Sequence, residues 1–96
     1  MSKPFDWNQE KNLSLQNERE VSFEDVVSAV DEGLLVDDTQ HPNQELHSGQ
    51  RMMIVIIRDY CYLVPYVEDE EKRFLKTIIP SRKATKKYLI EKGGNK

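Results

Sequence analysis

Apolar positions recur along this chain in two rhythms. Over the first third the spacing is helical. Asn8 stands where an N-cap would open a polar helix through about Arg19, and its apolar content is little more than Leu13 and Leu15. A helix that polar is held by tertiary packing rather than by its own propensity. Ser22 and Asp25 have the spacing of a capping box, and Val21 and Val26 that of a hydrophobic staple. Phe23, Val26, Val27 and Val30 then follow helical spacing up to Gly33, a left-handed stop, so a helix is expected over 23–32. With a short break at 20–22, the two helices make an αα-hairpin.

Beyond Gly33 the period shortens. Residues 34–36 read as a short strand, and 39–49 as a polar loop carrying Pro42, His41 and His47. Two β-rich runs, 51–57 and 60–66, flank Arg58-Asp59, a two-residue hairpin signal without the usual Gly. The run 52–57 is apolar on both faces and so predicts a central strand covered on both sides. A turn at 68–72 leads into 74–79, and Pro80 ends that strand because it cannot donate to a ladder. Phe5-Asp6-Trp7 adds a very short edge strand, its two aromatics bound for the core. Ser81 caps a final helix, 82–91, which stops at Gly93-Gly94. Short turns join the three longer runs, so they form an antiparallel meander. The elements run β-α-α-β-β-β-α, an α+β fold with helices packed on an antiparallel sheet.

Ninety-six residues make one domain, 1–96, with 1–4 and 93–96 as flexible tails. A chain of this size is often completed by a second copy or a partner. Its longest apolar run, 52–57, is far too short to span a bilayer, and the first residues lack the apolar core of a signal peptide. The single cysteine, Cys61, cannot close an internal disulfide, which fits a reducing cytoplasm, and its place in an apolar run predicts packing rather than nucleophilic chemistry.

Charge changes the picture more than composition does. The net charge is -3, but residues 1–71 hold five Lys/Arg against sixteen Asp/Glu, a net -11. Residues 72–96 hold nine Lys/Arg against Glu91 alone, a net +8. That segregation makes a polyanion a reasonable partner for the C-terminal quarter. At 100° per residue, Arg82, Lys83, Lys86 and Lys87 fall within one arc of about 140°, opposite Ala84, Thr85, Tyr88 and Leu89. The bland reading of the same pattern is a solvated helix face.

Cleaving RNA without a metal needs a base for the 2′-hydroxyl, cations for the pentacovalent phosphate and an acid for the leaving oxygen. Arg82, beside Ser81 at the start of the last helix, suits the second role, since guanidinium matches phosphate oxygens and helix N-termini favour anions. Lys76 on the preceding strand and Arg51 on a neighbouring one are expected to converge on it. His41 is the acid/base candidate that titrates near neutral pH, set against a surface-turn histidine. Glu68 could act as base, set against a solvated acidic turn at 68–71. Tyr62 and Tyr66 alternate with Leu63 and Val67, so one pair faces away from the core, where a Tyr could stack on a base. No Cys/His zinc pattern, calcium loop, P-loop or dinucleotide glycine array is present, so neither a metal nor a cofactor is expected.

Three stretches resemble one family. Phe5-Asp6-Trp7-Asn8-Gln9-Glu10-Lys11-Asn12, then Val21-Ser22-Phe23-Glu24-Asp25, then the run from Ile78 to Lys87 are similar, in this order, to the BrnT family of bacterial toxins. The resemblance covers 5–89, and its last stretch is the most specific. It implies a RelE-like fold and the toxin of a type II toxin–antitoxin system: a cytoplasmic endoribonuclease that inhibits translation, paired with a small DNA-binding antitoxin. Under it, Arg82, Arg51, Lys76, His41 and Glu68 are the catalytic candidates, and Ser81, Lys83, Lys86, Lys87 and Arg19 the RNA-binding ones. Three positions depart from the pattern: Arg19-Glu20 stands where His-Gly is common, Gln50 where an acid precedes Arg51, and Pro80-Ser81 where Ser-Ala is common. The alternative expectation is a catalytically inactive module of the same fold that binds nucleic acid or a partner.

Overall fold

The structure, a computed structural model, describes residues 3–40, 44–46 and 49–91. Helix α1 (Gln9–Arg19) opens on Asn8, whose side chain accepts from the Lys11 N–H at 2.9 Å. It ends on Glu20, left-handed at φ 57, in the place where a glycine would be unstrained. Helix α2 (Phe23–Asp31) carries the full capping box, and Gly33 follows it at φ 81. Both helices lie where their caps and periodicity predict them. Arg58 and Asp59 are both left-handed, the geometry of a type I′ hairpin, even without glycine.

Strands β1 (Phe5–Trp7), β2 (Leu35–Gln40), β3 (Gln50–Ile57), β4 (Tyr60–Glu68), β5 (Arg73–Leu75) and β6 (Ile79–Pro80) form one mixed sheet in the order β1-β5-β4-β3-β2, with β6 also on β4. β1 joins β5 in parallel, because α1 and α2 and the strands after them intervene, so the sheet is mixed and not the wholly antiparallel one expected; the remaining pairings are antiparallel. The result is an α+β domain. The α1–α2 hairpin covers one face of the sheet, burying Leu15, Val21, Phe23 and Val26 against Met53, Val55, Val64, Tyr66 and Leu75. Trp7 stacks on Phe23 with ring centroids 5.6 Å apart. Cys61 is fully buried, and burial pushes its thiol up from the ordinary value. Among the described residues no helix is long and apolar enough to cross a membrane.

Three elements differ from expectation. β2 extends through Asp37 and Asp38, beyond the strand expected at 34–36, and on through Thr39 and Gln40, the first residues of the expected loop. They can pair with β3 because β2 is a sheet edge and partners await its carboxylates: Asp38 meets Arg51 and Tyr66, and Asp37 meets Tyr88. The expected strand over 74–79 is split. Lys76 N–H donates to the Pro65 carbonyl at 2.8 Å, but Pro65 has no N–H to return. The register slips there by one residue, Tyr66 facing Leu75 while Leu63 faces Ile79. The last helix is α-helical only over α3 (Arg82–Thr85) and continues as a π-helix over Lys86–Glu91.

Candidate functional site

The expected convergence of Arg82, Lys76 and Arg51 does not form, and the sheet's pleat is the reason. Arg51 alternates with Met53 and Val55, so its side chain projects on the α1–α2 face, level with Tyr66. β6 returns the chain to β4 at Tyr62, four residues from Tyr66, roughly 13 Å along the strand. From there α3 crosses the other face: Ala84, Tyr88, Lys83 and Lys87 line a groove of about 260 Å³ with Asp37, Ile54, Leu63 and Ser81. Lys76 also belongs to that second face, its Nζ 5.8 Å from the centre of the Phe74 ring. The predicted residues therefore divide between two places.

The first is a cationic surface. Lys76, Arg82, Lys83, Lys86 and Lys87 are all exposed, and Lys76, Arg82 and Lys83 make no ion pair with any described residue. Lys87 lies over the Tyr88 ring at 5.2 Å. Ser81 is committed to the fold: its hydroxyl caps α3 by accepting from the Ala84 N–H at 3.0 Å, and its carbonyl accepts from the Thr85 hydroxyl at 2.8 Å. One α-helical turn carries little dipole, so phosphate binding here rests on side-chain charge. Arg19 is likewise structural. Its Nη1 donates to the Ile78 carbonyl at 2.5 Å, holding the segment between β5 and β6 against the end of α1.

The second place is an open cleft of about 550 Å³ at the end of the sheet, lined by Lys3, Asp38, Gly49, Arg51, Tyr66, Glu68, Asp69 and Glu70. It unites Arg51 with Glu68, two of the residues singled out from sequence. Arg51 Nε donates to Tyr66 Oη at 3.1 Å and to Asp38 Oδ1 at 3.3 Å, while Nη2 donates to the Asp38 carbonyl at 3.1 Å. The Tyr66 hydroxyl donates to both Asp38 carboxylate oxygens, at 2.8 and 2.9 Å. Burial, then the Asp38 contact, pushes the Tyr66 phenol up to about 12. Its bond to Tyr66 and the nearby Asp38 charge raise the Arg51 guanidinium further above its ordinary value. Lys3, 2.7 Å from Glu68 Oε2, holds the Glu68 carboxylate below the usual range, with Arg73 and Arg51 adding to it. Four acids against two cations leave the lining net negative.

His41 and His47 lie outside the described residues. Tyr62 and Tyr66 both turn toward the core, so neither is the exposed stacking tyrosine that the alternation allowed. Asp38 and Lys3 escape a sequence reading, because one is recruited across β2–β3 and the other 65 positions along the chain from Glu68. Among the described residues no three His, Cys, Asp or Glu side chains come together as metal ligands. The chain matches no protein-family model, no curated protein and no solved structure.

Proposed function

We propose that the protein binds RNA through the surface of Lys76, Arg82, Lys83, Lys86 and Lys87, as the nucleic-acid-binding module of a BrnT-type toxin with a RelE-like fold. The observation that carries this reading is the exposure of those cations together, in a chain whose other residues are net anionic. The resemblance at 5–12, 21–25 and 78–87 supplies the toxin class. It also supplies the second partner, an antitoxin whose acidic segment would cover the same surface and compete with RNA. Anisotropy of a fluorescein-labelled single-stranded RNA tests the reading. Saturable binding is expected, with log affinity falling linearly against log salt. Lys83→Gln and Lys87→Gln should each flatten that slope by about 0.7. An RNA that fails to bind at low salt removes the reading.

One observation favours a second reading, metal-independent cleavage of RNA: an ionised Glu68 stands in the same open cleft as Arg51. Glu68 would take the 2′-hydroxyl proton as the 2′-oxygen displaces the 5′-oxygen at phosphorus, Arg51 would steady the phosphoryl charge, and the leaving 5′-oxygen would take its proton from solvent water at the open cleft. The net negative lining works against seating a phosphate there, which is why binding leads. Glu68→Gln is expected to slow cleavage about 100-fold or more while leaving binding intact. If the wild-type protein binds RNA but leaves it whole, this second reading falls and the first stands.

A further inference from the structure

We propose that Phe74 is the platform on which one base of a bound single-stranded RNA stacks, with Lys76 taking the adjoining phosphate. The inference rests on the RNA-binding reading above and adds strandedness and a contact that charge alone does not supply. In β5, Leu75 points into the core at 1% exposure, so Phe74 points to the opposite face. There it is half-buried, directly across from Val67, which is 38% exposed. Two ammonium groups lie over the ring, Lys72 Nζ at 6.0 Å and Lys76 Nζ at 5.8 Å from its centre, at the outer limit of cation–π contact, so an incoming base displaces a flexible lysine tip. They are not equivalent. Lys72 is paired at 3.2 Å with Asp6, which sits opposite Phe74 on β1, so that pair is neutral. Lys76 makes no ion pair with any described residue.

An aromatic ring next to an unpaired cation on an open sheet face is the chemistry of single-strand recognition. Every base has a π-face to stack, and the cation meets the phosphate beside it. A duplex hides those faces, so this platform selects against it. Phe74, Val67 and Ile79, each only partly exposed, together make too small an apolar patch for a stable protein interface, which disfavours a protein as occupant. The C-terminal helical segment covers the other end of this face, over Ile54 and Leu63. Ile79, Pro80 and Arg82 are exposed as well, a few positions along the chain from Lys76, so a strand stacked at Phe74 has the cations of α3 ahead of it.

The test compares a short fluorescein-labelled oligouridylate with a duplex RNA on the full chain. Phe74→Leu keeps the apolar volume and removes the π-face. It is expected to weaken oligouridylate binding roughly five- to 150-fold while leaving the salt slope and duplex affinity unchanged. Phe74→Trp is expected to restore binding, and its indole emission to fall as oligouridylate is added. Lys76→Gln should flatten the salt slope by about 0.7. Two results overturn the proposal but leave RNA binding standing: Phe74→Leu binding as the wild type does, or Phe74→Leu and Phe74→Trp weakened alike for both RNAs. A wild-type chain that binds neither RNA removes both the proposal and the reading beneath it. Binding of an unrelated acidic protein that depends on Phe74, without oligouridylate binding, also overturns it.

Discussion

Asn12→Leu is expected to lower the unfolding free energy by roughly 3 kcal/mol, read as a shift in the urea midpoint at unchanged m. Asn12 is fully buried in α1, a mostly polar helix in which only Leu15 is buried beside it, and it joins α1 to α2. Its Oδ1 accepts from the Phe23 N–H at 2.7 Å, satisfying one of the open donors at the start of α2. Its Nδ2 donates to Glu24 Oε1 at 2.8 Å. Leucine occupies similar space but leaves the buried Phe23 N–H without a partner and removes a bond to a charged group. Each loss costs about 1–3 kcal/mol, with partial relaxation expected at the exposed Glu24 end. A change below about 0.5 kcal/mol, the scale of ordinary surface substitutions, would mean that Asn12 does not hold the hairpin together.

The second large effect is alkaline. Tyr66 is 1% exposed, and its phenol stays protonated in the folded protein to about 12, whereas the unfolded chain releases that proton near 10. Between those values the folded state binds more protons than the unfolded one, so stability falls as pH rises. The contribution is fully present below about pH 10 and lost by about pH 12. Two pH units correspond to an order of ~2–3 kcal/mol. In Tyr66→Phe that pH-dependent part should vanish, although the variant is less stable at neutral pH because Asp38 and Arg51 lose a shared partner. The measurement is urea unfolding of both chains at several pH values across that window. Parallel pH curves for the two proteins would show that neither burial nor the Asp38 contact holds the Tyr66 phenol protonated in solution.

Both predictions concern residues whose importance lies in who they meet. Asn12 falls inside one of the stretches that resemble the BrnT family, yet what it does is visible only once α1 and α2 are packed together. Arg19, an RNA contact under the family resemblance, ties down the Ile78 carbonyl where β5 and β6 part, a partner 59 positions away. Ser81 caps α3 as its position before the helix requires. Arg51 and Glu68 were read as members of one chemistry and do share a cleft, but with Asp38 and Lys3 as neighbours that no local spacing announces.

What the sequence determined by itself is local. Caps at Asn8 and Ser22, a left-handed stop at Gly33, the Arg58-Asp59 turn and the β-rich runs that become β3 and β4 each depend on neighbours within a few positions, and each appears where the residues require it. The cationic surface of the last helical segment was legible too, because charge run and helical spacing coincide there. Tertiary structure alone decided the rest. The polar stretch at Asp37–Asp38 became a strand because Arg51, Tyr66 and Tyr88 stood ready to satisfy its carboxylates. Residues 74–79 broke into two strands because Pro65, on the strand beside them, has no N–H to offer. Arg51 and Arg82 parted because the pleat turns Arg51 to the face under α1–α2, whereas α3 lies across the other face. Which face a cation occupies is a property of the sheet, and a run of charges along the chain carries no record of it.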